Sequence, residues 1–244
     1  MIRGFVEQIL RWRGYELKPI AATPMGFDGF LERVNRSGLR PSTVLDVGVG
    51  PGTPWLYSAF PDAKLMLFEP LDKFEPDLKK ICGSRNGEYH IVALGGEEKN
   101  AEIYIPERAT GASLKPRSGN WIASRNVKTV ETTKQIRVVP LDSLCHAESP
   151  YVLKIDAEGS EVDVLRGATR VLTQTDLVLA EAAVMPRHEA DSMVGDIVKI
   201  LDQRGFDLLE IVETTNIRTG GALAYMDVAF ARRGTPFQRA YWNL

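Results

Sequence analysis

The chain carries one segment that leaves few folds open to it. An apolar run, Thr43-Val-Leu-Asp-Val47, enters the turn Gly48-Val-Gly-Pro-Gly52, and a second apolar run then ends in Phe68-Glu69-Pro70. Strand, glycine-rich turn, helix, and a second strand closed by an acid form the unit that holds an adenosine-bearing cofactor at the edge of a parallel sheet. Glycines let the backbone come close to a ligand, and a carboxylate accepts the two hydroxyls of a ribose. Gly48, Gly50, Gly52 and Glu69 are therefore candidate cofactor contacts.

Three cofactors compete for such a unit. A phosphate loop needs Gly-Lys-Ser/Thr at its end, and Gly52-Thr53-Pro54 offers no lysine. A dinucleotide loop needs a third glycine where Thr53 stands, because a side chain there crowds the helix against the strand. S-adenosylmethionine has no pyrophosphate, and its methionine ammonium favours a nearby carboxylate, for which Asp46 is the candidate. The residues favour S-adenosylmethionine.

The remaining chain reads as one α/β domain of 244 residues, with 44% hydrophobic and 25% charged residues, values that exclude a disordered or fibrous chain. A formal net charge of −2 gives no overall field to recruit nucleic acid. Cys82 and Cys145 stand far apart and signal neither zinc nor a disulfide framework. Charges interrupt the first apolar stretch, and no run approaches the roughly 20 apolar residues that span a bilayer, so the expected location is the cytoplasm.

Periodicity predicts helices within residues 1–38, with Phe5, Ile9 and Trp12 on one face of the first. From Thr43 the pattern alternates: a strand at 44–47, a helix at 55–60, a strand at 64–68, a helix at 74–81 and a strand at 89–94. Single helices between strands imply parallel pairing with right-handed crossovers. Residues 97–140 break the rhythm and read as an inserted ribbon and loop, with short strands at 101–105, 129–133 and 136–139. The alternation resumes with a strand at 151–155, a helix at 161–172 started by Ser160, a strand at 177–180 and a helix at 191–204 stopped by Gly205. Two final strands, 206–212 and 224–231, joined by a loop from Glu213 to Gly221, suit an antiparallel pair. The tail from Arg232 suits either docking onto the domain or a contact within a homo-oligomer.

Leu153-Lys-Ile-Asp156-Ala-Glu158-Gly-Ser-Glu161 loads charge onto the C-terminal end of a central strand, where open α/β sheets bind ligands. A carboxylate at Asp156 is hard to justify by packing alone. Together with Asp46-Val-Gly-Val-Gly, Phe68-Glu-Pro70, Ala93-Leu-Gly95, Gly111-Ala-Ser-Leu114 and Val139-Pro-Leu-Asp-Ser-Leu144, the stretch from Leu153 to Ala168 resembles the FkbM-type S-adenosylmethionine-dependent methyltransferases over about residues 42–233. The resemblance implies a seven-stranded Rossmann-like methyltransferase sheet in the order 3-2-1-4-5-7-6 with strand seven antiparallel. It adds Ala93 and Leu94 to the cofactor contacts, and it implies O-methylation of a hydroxyl on a sugar, glycolipid, polyketide or related natural product.

A hydroxyl must lose its proton as the methyl arrives, which calls for a carboxylate, a histidine or a metal ion. Candidates are Asp156, Glu158, Glu181 and His188, with Asp156 also placed against the cofactor. Asp156 and Glu181 are the pair that would hold magnesium or manganese. The insert from Glu107 to Arg137 carries Arg108, Lys115, Arg117, Arg125, Lys128, Lys134 and Arg137 against Glu107 and Glu131, which suits a solvated loop or a lid over an anionic small-molecule or glycan acceptor. The rival readings are an NAD-dependent oxidoreductase, for which no Tyr-x-x-x-Lys pair is found, and a non-enzymatic cofactor-binding protein, which gives no reason for the acids at the strand ends.

Overall fold

The computed structural model describes residues 2–13, 26–125, 132–217 and 221–244. Its strands are β1 (Thr43–Val47), β2 (Lys64–Glu69), β3 (Gly87–Ile91), β4 (Ala93–Leu94), β5 (Lys99–Ile105), β6 (Thr132–Val139), β7 (Tyr151–Ile155), β8 (Thr175–Ala183), β9 (Phe206–Asn216) and β10 (Leu223–Arg232). Its helices are α1 (Ile2–Trp12), α2 (Gly26–Arg36), α3 (Pro54–Ala59), α4 (Glu75–Ser84), α5 (Gly119–Arg125), α6 (Leu141–Leu144), α7 (Glu161–Arg166), α8 (Thr169–Leu172), α9 (Val194–Gln203) and α10 (Pro236–Trp242). None is long and apolar enough to cross a membrane.

Seven strands form the main sheet in the order β3-β2-β1-β7-β8-β10-β9, and β4-β6-β5 form a separate small sheet. With those three inserted strands left out of the count, the main order is 3-2-1-4-5-7-6. The strands from β3 to β8 pair in parallel, whereas β10 runs antiparallel to both β8 and β9. Every residue of β1 and β7 is buried, as expected for central parallel strands covered on both faces. Leu45, Met66, Leu153, Val164, Leu165, Ile197 and Phe230 fill one face beneath α7 and α9. Phe30, Val34, Leu56, Leu65, Val152, Leu179 and Tyr241 fill the other beneath α2, α3 and α10. Each such side chain contributes about 1.5–3 kcal/mol through removal from water.

Local departures from the sequence pattern have identifiable causes. The apolar run at 89–94 splits after Ile91, because Val92 bonds back to Glu69 and β4 turns away to pair with β6. The helix expected at 161–172 breaks at Gly167, which lies against the backbone of Gly95 where a Cβ would collide with the carbonyl oxygen. Ser160 precedes α7 without capping it by its side chain. One strand, β6, covers 132–139; residues 129–131 of the expected ribbon lie outside the described residues. The final hairpin is longer than expected, carrying β9 through Glu213 to Asn216, while 218–220 of its loop are not among the described residues. Of the N-terminal segment, 14–25 are likewise outside them. The C-terminal α10 docks on the domain: Phe237 and Tyr241 are buried, and Tyr241 bonds with Arg33 of α2 and with Glu210 of β9.

Candidate active site

A cavity of about 440 Å³ opens along the C-terminal edge of the parallel strands, a size usual for small-molecule sites. One end lies between the glycine turn and the ends of β2 and β4, lined by Gly48, Gly50, Gly52, Phe68, Glu69, Val92, Ala93 and Leu94. The other end lies over β7, β8, β10 and β9, lined by Asp156, Glu158, Glu181, Asp227 and Glu213. Phe74, Ile103, Ala109, Ala112 and Leu114 add an apolar wall, much of it from the insert.

The turn has the shape its glycines allow. Gly48, Gly50 and Gly52 all adopt positive φ, at 73°, 53° and 122°, a region that L side chains avoid. At Gly48 the need is also steric, since a Cβ would run into the carbonyl of Asp156. Glu69 fixes the turn from the far side. Its carboxylate accepts the Gly50 amide at 2.8 Å and the Leu71 amide at 2.9 Å. Burial raises Glu69 above the usual carboxylate range, and the two amides oppose that rise.

At the other end the backbone after β7 is held by Glu161, whose buried carboxylate accepts the amides of Ala157 at 3.1 Å and Gly159 at 3.0 Å. Burial pushes Glu161 up to about 7. Glu158 sits at a φ of 48° within this turn, which aims it at the cavity. The guanidinium of Arg187 bridges two acids: it pairs with Glu181 and lies 3.5 Å from Glu158. Its own face covers the ring of Tyr225 at 4.6 Å. Burial, then the neighbouring Asp156, holds Glu181 well above the usual range in spite of Arg187. Asp227 is pushed up to about 7 by burial, Asp156 and Glu213.

The structure brings together Asp156, Glu158 and Glu181 from the sequence-based candidates, and places Asp46 and His188 elsewhere. Asp46 does not face the cavity. It is fully enclosed, accepts the Tyr57 hydroxyl at 2.6 Å and lies 3.3 Å from Lys154 Nζ. Burial alone would lower Lys154, but Asp46 and Asp156 hold it above the ordinary lysine range, so Asp46 anchors a lysine instead of meeting a ligand's ammonium. His188 is also enclosed, 3.7 Å from Asp191 and packed beneath Gly159, and burial lowers its pKa. It supplies no base to the cavity.

Carboxylate oxygens of Asp156, Glu158 and Glu181 come within 4.8 Å of one another. Arg187 already takes two of the three, so these donors do not fit a divalent ion unless the guanidinium leaves. Of the two expectations for the basic insert, the exposure of Arg108, Lys134 and Arg137 agrees with the solvated loop. Lys115 donates to Gly159 and Ala190 carbonyls, Lys134 pairs with Asp72 and Arg137 with Glu98. Among the described residues, Lys115 and Lys134 fasten the insert to the body while Arg137 pairs within it, and the insert lines the cavity with Ile103, Ala109, Ala112 and Leu114 and with one hydroxyl residue, Thr110. Lys128 and Glu131 lie outside the described residues. Arg187, Asp227 and Glu213 were not singled out by sequence reasoning; the acids opposite Glu181 become visible only once the register of the last hairpin is known.

The family model described as the methyltransferase FkbM domain matches residues 46–208. No curated protein matches the chain. Among solved structures it is similar to a methyltransferase FkbM from Methylobacillus flagellatus KT, with 14% identity, 77% of this chain and 43% of that chain covered and a TM-score of 0.45. The chain thus spans less than half the length of that protein. It is also similar to magnesium protoporphyrin IX methyltransferase from Synechocystis PCC 6803, solved with bound S-adenosylmethionine, with 12% identity, 95% of each chain covered and a TM-score of 0.45. A third is the Burkholderia thailandensis 1,6-didemethyltoxoflavin-N1-methyltransferase with bound 1,6-didemethyltoxoflavin and S-adenosylhomocysteine, with 10% identity, 95% and 86% covered and a TM-score of 0.43.

Proposed function

The chain belongs to the FkbM methyltransferase family, and from that premise we propose that it uses S-adenosylmethionine to methylate a hydroxyl of a sugar, glycolipid, polyketide or related natural product. The observation that carries this reading is one continuous cavity with a glycine turn and a ribose-competent acid at one end and an accessible carboxylate, Asp156, at the other.

S-adenosylmethionine supplies an electrophilic methyl group on a sulfonium. The chain's residues supply the rest. Glu69 keeps lone pairs beyond the two amides it accepts, and these suit the ribose hydroxyls. Val92, Ala93, Leu94, Phe74 and Ile103 give an apolar slot for the purine. Bringing acceptor and donor into line accounts for much of the acceleration such a site offers. For the proton, Asp156 is the assigned base. It follows β7 directly beside the glycine turn, its amide bonding to Val47 O at 3.0 Å. Its side chain is 38% exposed, the most accessible of the three clustered acids, and its nearest cation is Lys154 at 3.6 Å. Glu158 and Glu181, held by Arg187, shape the floor beside it. No metal ion enters this scheme, since Arg187 engages two of the three carboxylates that one would need.

Binding tests the reading. S-adenosylhomocysteine raises the melting temperature, NAD does not, and Glu69→Ala removes the rise. A rise with NAD and none with S-adenosylhomocysteine would overturn it.

A further inference from the structure

The acids at the acceptor end form a row across four adjacent strands. Ile155 of β7 pairs with Ala180 of β8, which places Asp156 beside Glu181. Glu181 is directly opposite Asp227 of β10, and Asp227 is directly opposite Glu213 of β9. Directly opposed residues share a face of the sheet, and like charges in such positions repel. Direct ion pairs relieve the row at one end, and the same two cations reach Asp227 only through longer-range attraction. Asp156 has Lys154 and Glu181 has Arg187, whereas Asp227 and Glu213 make no hydrogen bond or ion pair among the described residues.

The half without direct ion pairs shares the cavity with a stacked aromatic pair. Phe27 and Trp55, with ring centroids 3.9 Å apart, line the same cavity. The residue before Phe27, Gly26, lies so close to Glu213 that a Cβ on it would stand 3.2 Å from the carboxylate. Aromatic rings next to unpaired carboxylates attract an organic cation by two routes: the ring quadrupole and direct charge. An anionic acceptor would meet repulsion here, and no insert cation lines the cavity among the described residues to offset it.

We propose that Asp227 and Glu213, with Phe27 and Trp55 beside them, are the specificity-determining group of the acceptor pocket and select an acceptor that carries a protonated amine as well as the hydroxyl to be methylated, as an amino sugar or aminocyclitol does. This rests on the methyltransferase reading of the same cavity. The ammonium lies over β9 and β10 and supplies the charge that the row lacks, while the hydroxyl is presented toward Asp156.

The test uses full-length protein saturated with S-adenosylhomocysteine and three probes of one scaffold type: glucosamine, N-acetylglucosamine and glucuronate. Glucosamine raises the melting temperature further, with at least tenfold tighter binding than the other two. The Asp227→Asn/Glu213→Gln double variant loses that response and keeps the response to S-adenosylhomocysteine. Glu213→Gln alone, at an exposed position, weakens it and covers the case in which the double variant does not fold. No response to glucosamine, an equal response to the N-acetylated sugar or to glucuronate, or full retention in the variants would overturn the assignment. Loss of the S-adenosylhomocysteine response in the unaltered protein would instead overturn the cofactor reading beneath it.

Discussion

The two ends of the cavity solve opposite problems. At the glycine turn the one carboxylate that lines the cavity, Glu69, meets two backbone amides, with Phe68, Val92, Ala93 and Leu94 lining the cavity beside it. Over β7 to β9, five carboxylates share a wall, and the nearby cations Lys154 and Arg187 compensate only part of them. The first end is built for a fixed shape, since its donors and acceptors are matched before any ligand arrives. The second keeps repulsion that the fold alone has no reason to retain, which is the pattern of a surface that stability did not choose. In the function proposed above, this contrast divides one groove between a matched end for the donor's nucleoside and a strained end for the acceptor.

The largest expected effect falls at the strained end. Asp156→Asn lowers kcat by about 10²–10⁴-fold, the usual contribution of a positioned base, and leaves the stabilisation by S-adenosylhomocysteine unchanged. Equal losses in both would dissolve the division of labour between the two ends. Next comes Gly48→Ala at the matched end. Its methyl meets the Asp156 carbonyl from a backbone at φ 73°, so unfolding in urea should report a loss of about 2–4 kcal/mol together with loss of S-adenosylhomocysteine binding. If stability and binding both survive, the turn is not the rigid element described.

The smallest effect is on pH dependence. Glu161 titrates at about 7 in the folded protein, above its unfolded value, so the folded state holds a proton that the unfolded state has already released. Stability therefore falls as pH rises through the window between the ordinary glutamate range and 7, and is flat above it. Glu161→Gln keeps an acceptor for the Ala157 and Gly159 amides without the charge. The variant should reduce that fall by about 2 kcal/mol between pH 5 and pH 8 in urea titrations. An unaltered slope would shift the origin of the pH dependence to other acids, Asp227 first among them.

Much of the matched end was legible in the sequence because it is local. Strand, glycines, helix and Glu69 follow one another within one βαβ unit, and period and turn chemistry suffice to place them. Asp156 was legible for the same reason, as an acid at the end of an apolar strand. Asp46 misled because a charge beside the glycines reads as a ligand contact, and only the packing of Tyr57 and Lys154 around it reveals a buried pair. His188 misled because its environment comes from Gly159 and Asp191, which no spacing rule joins to it. The strained end was the least legible. Glu213 reads as loop until the hairpin is seen to continue as sheet to Asn216, and its meeting with Asp227 depends on antiparallel register.

The departure of the chain from the main sheet after Ile91 places Ala93 and Leu94 in the small sheet with β6, although both line the glycine-turn end of the cavity. The inserted ribbon is therefore a wall of the cavity, at the end where the proposed function seats the purine, and not an ornament hung on a finished domain. Exchanging it for the ribbon of a relative would retune the grip on the donor along with the entrance for the acceptor, so within this architecture the two affinities are inherited together.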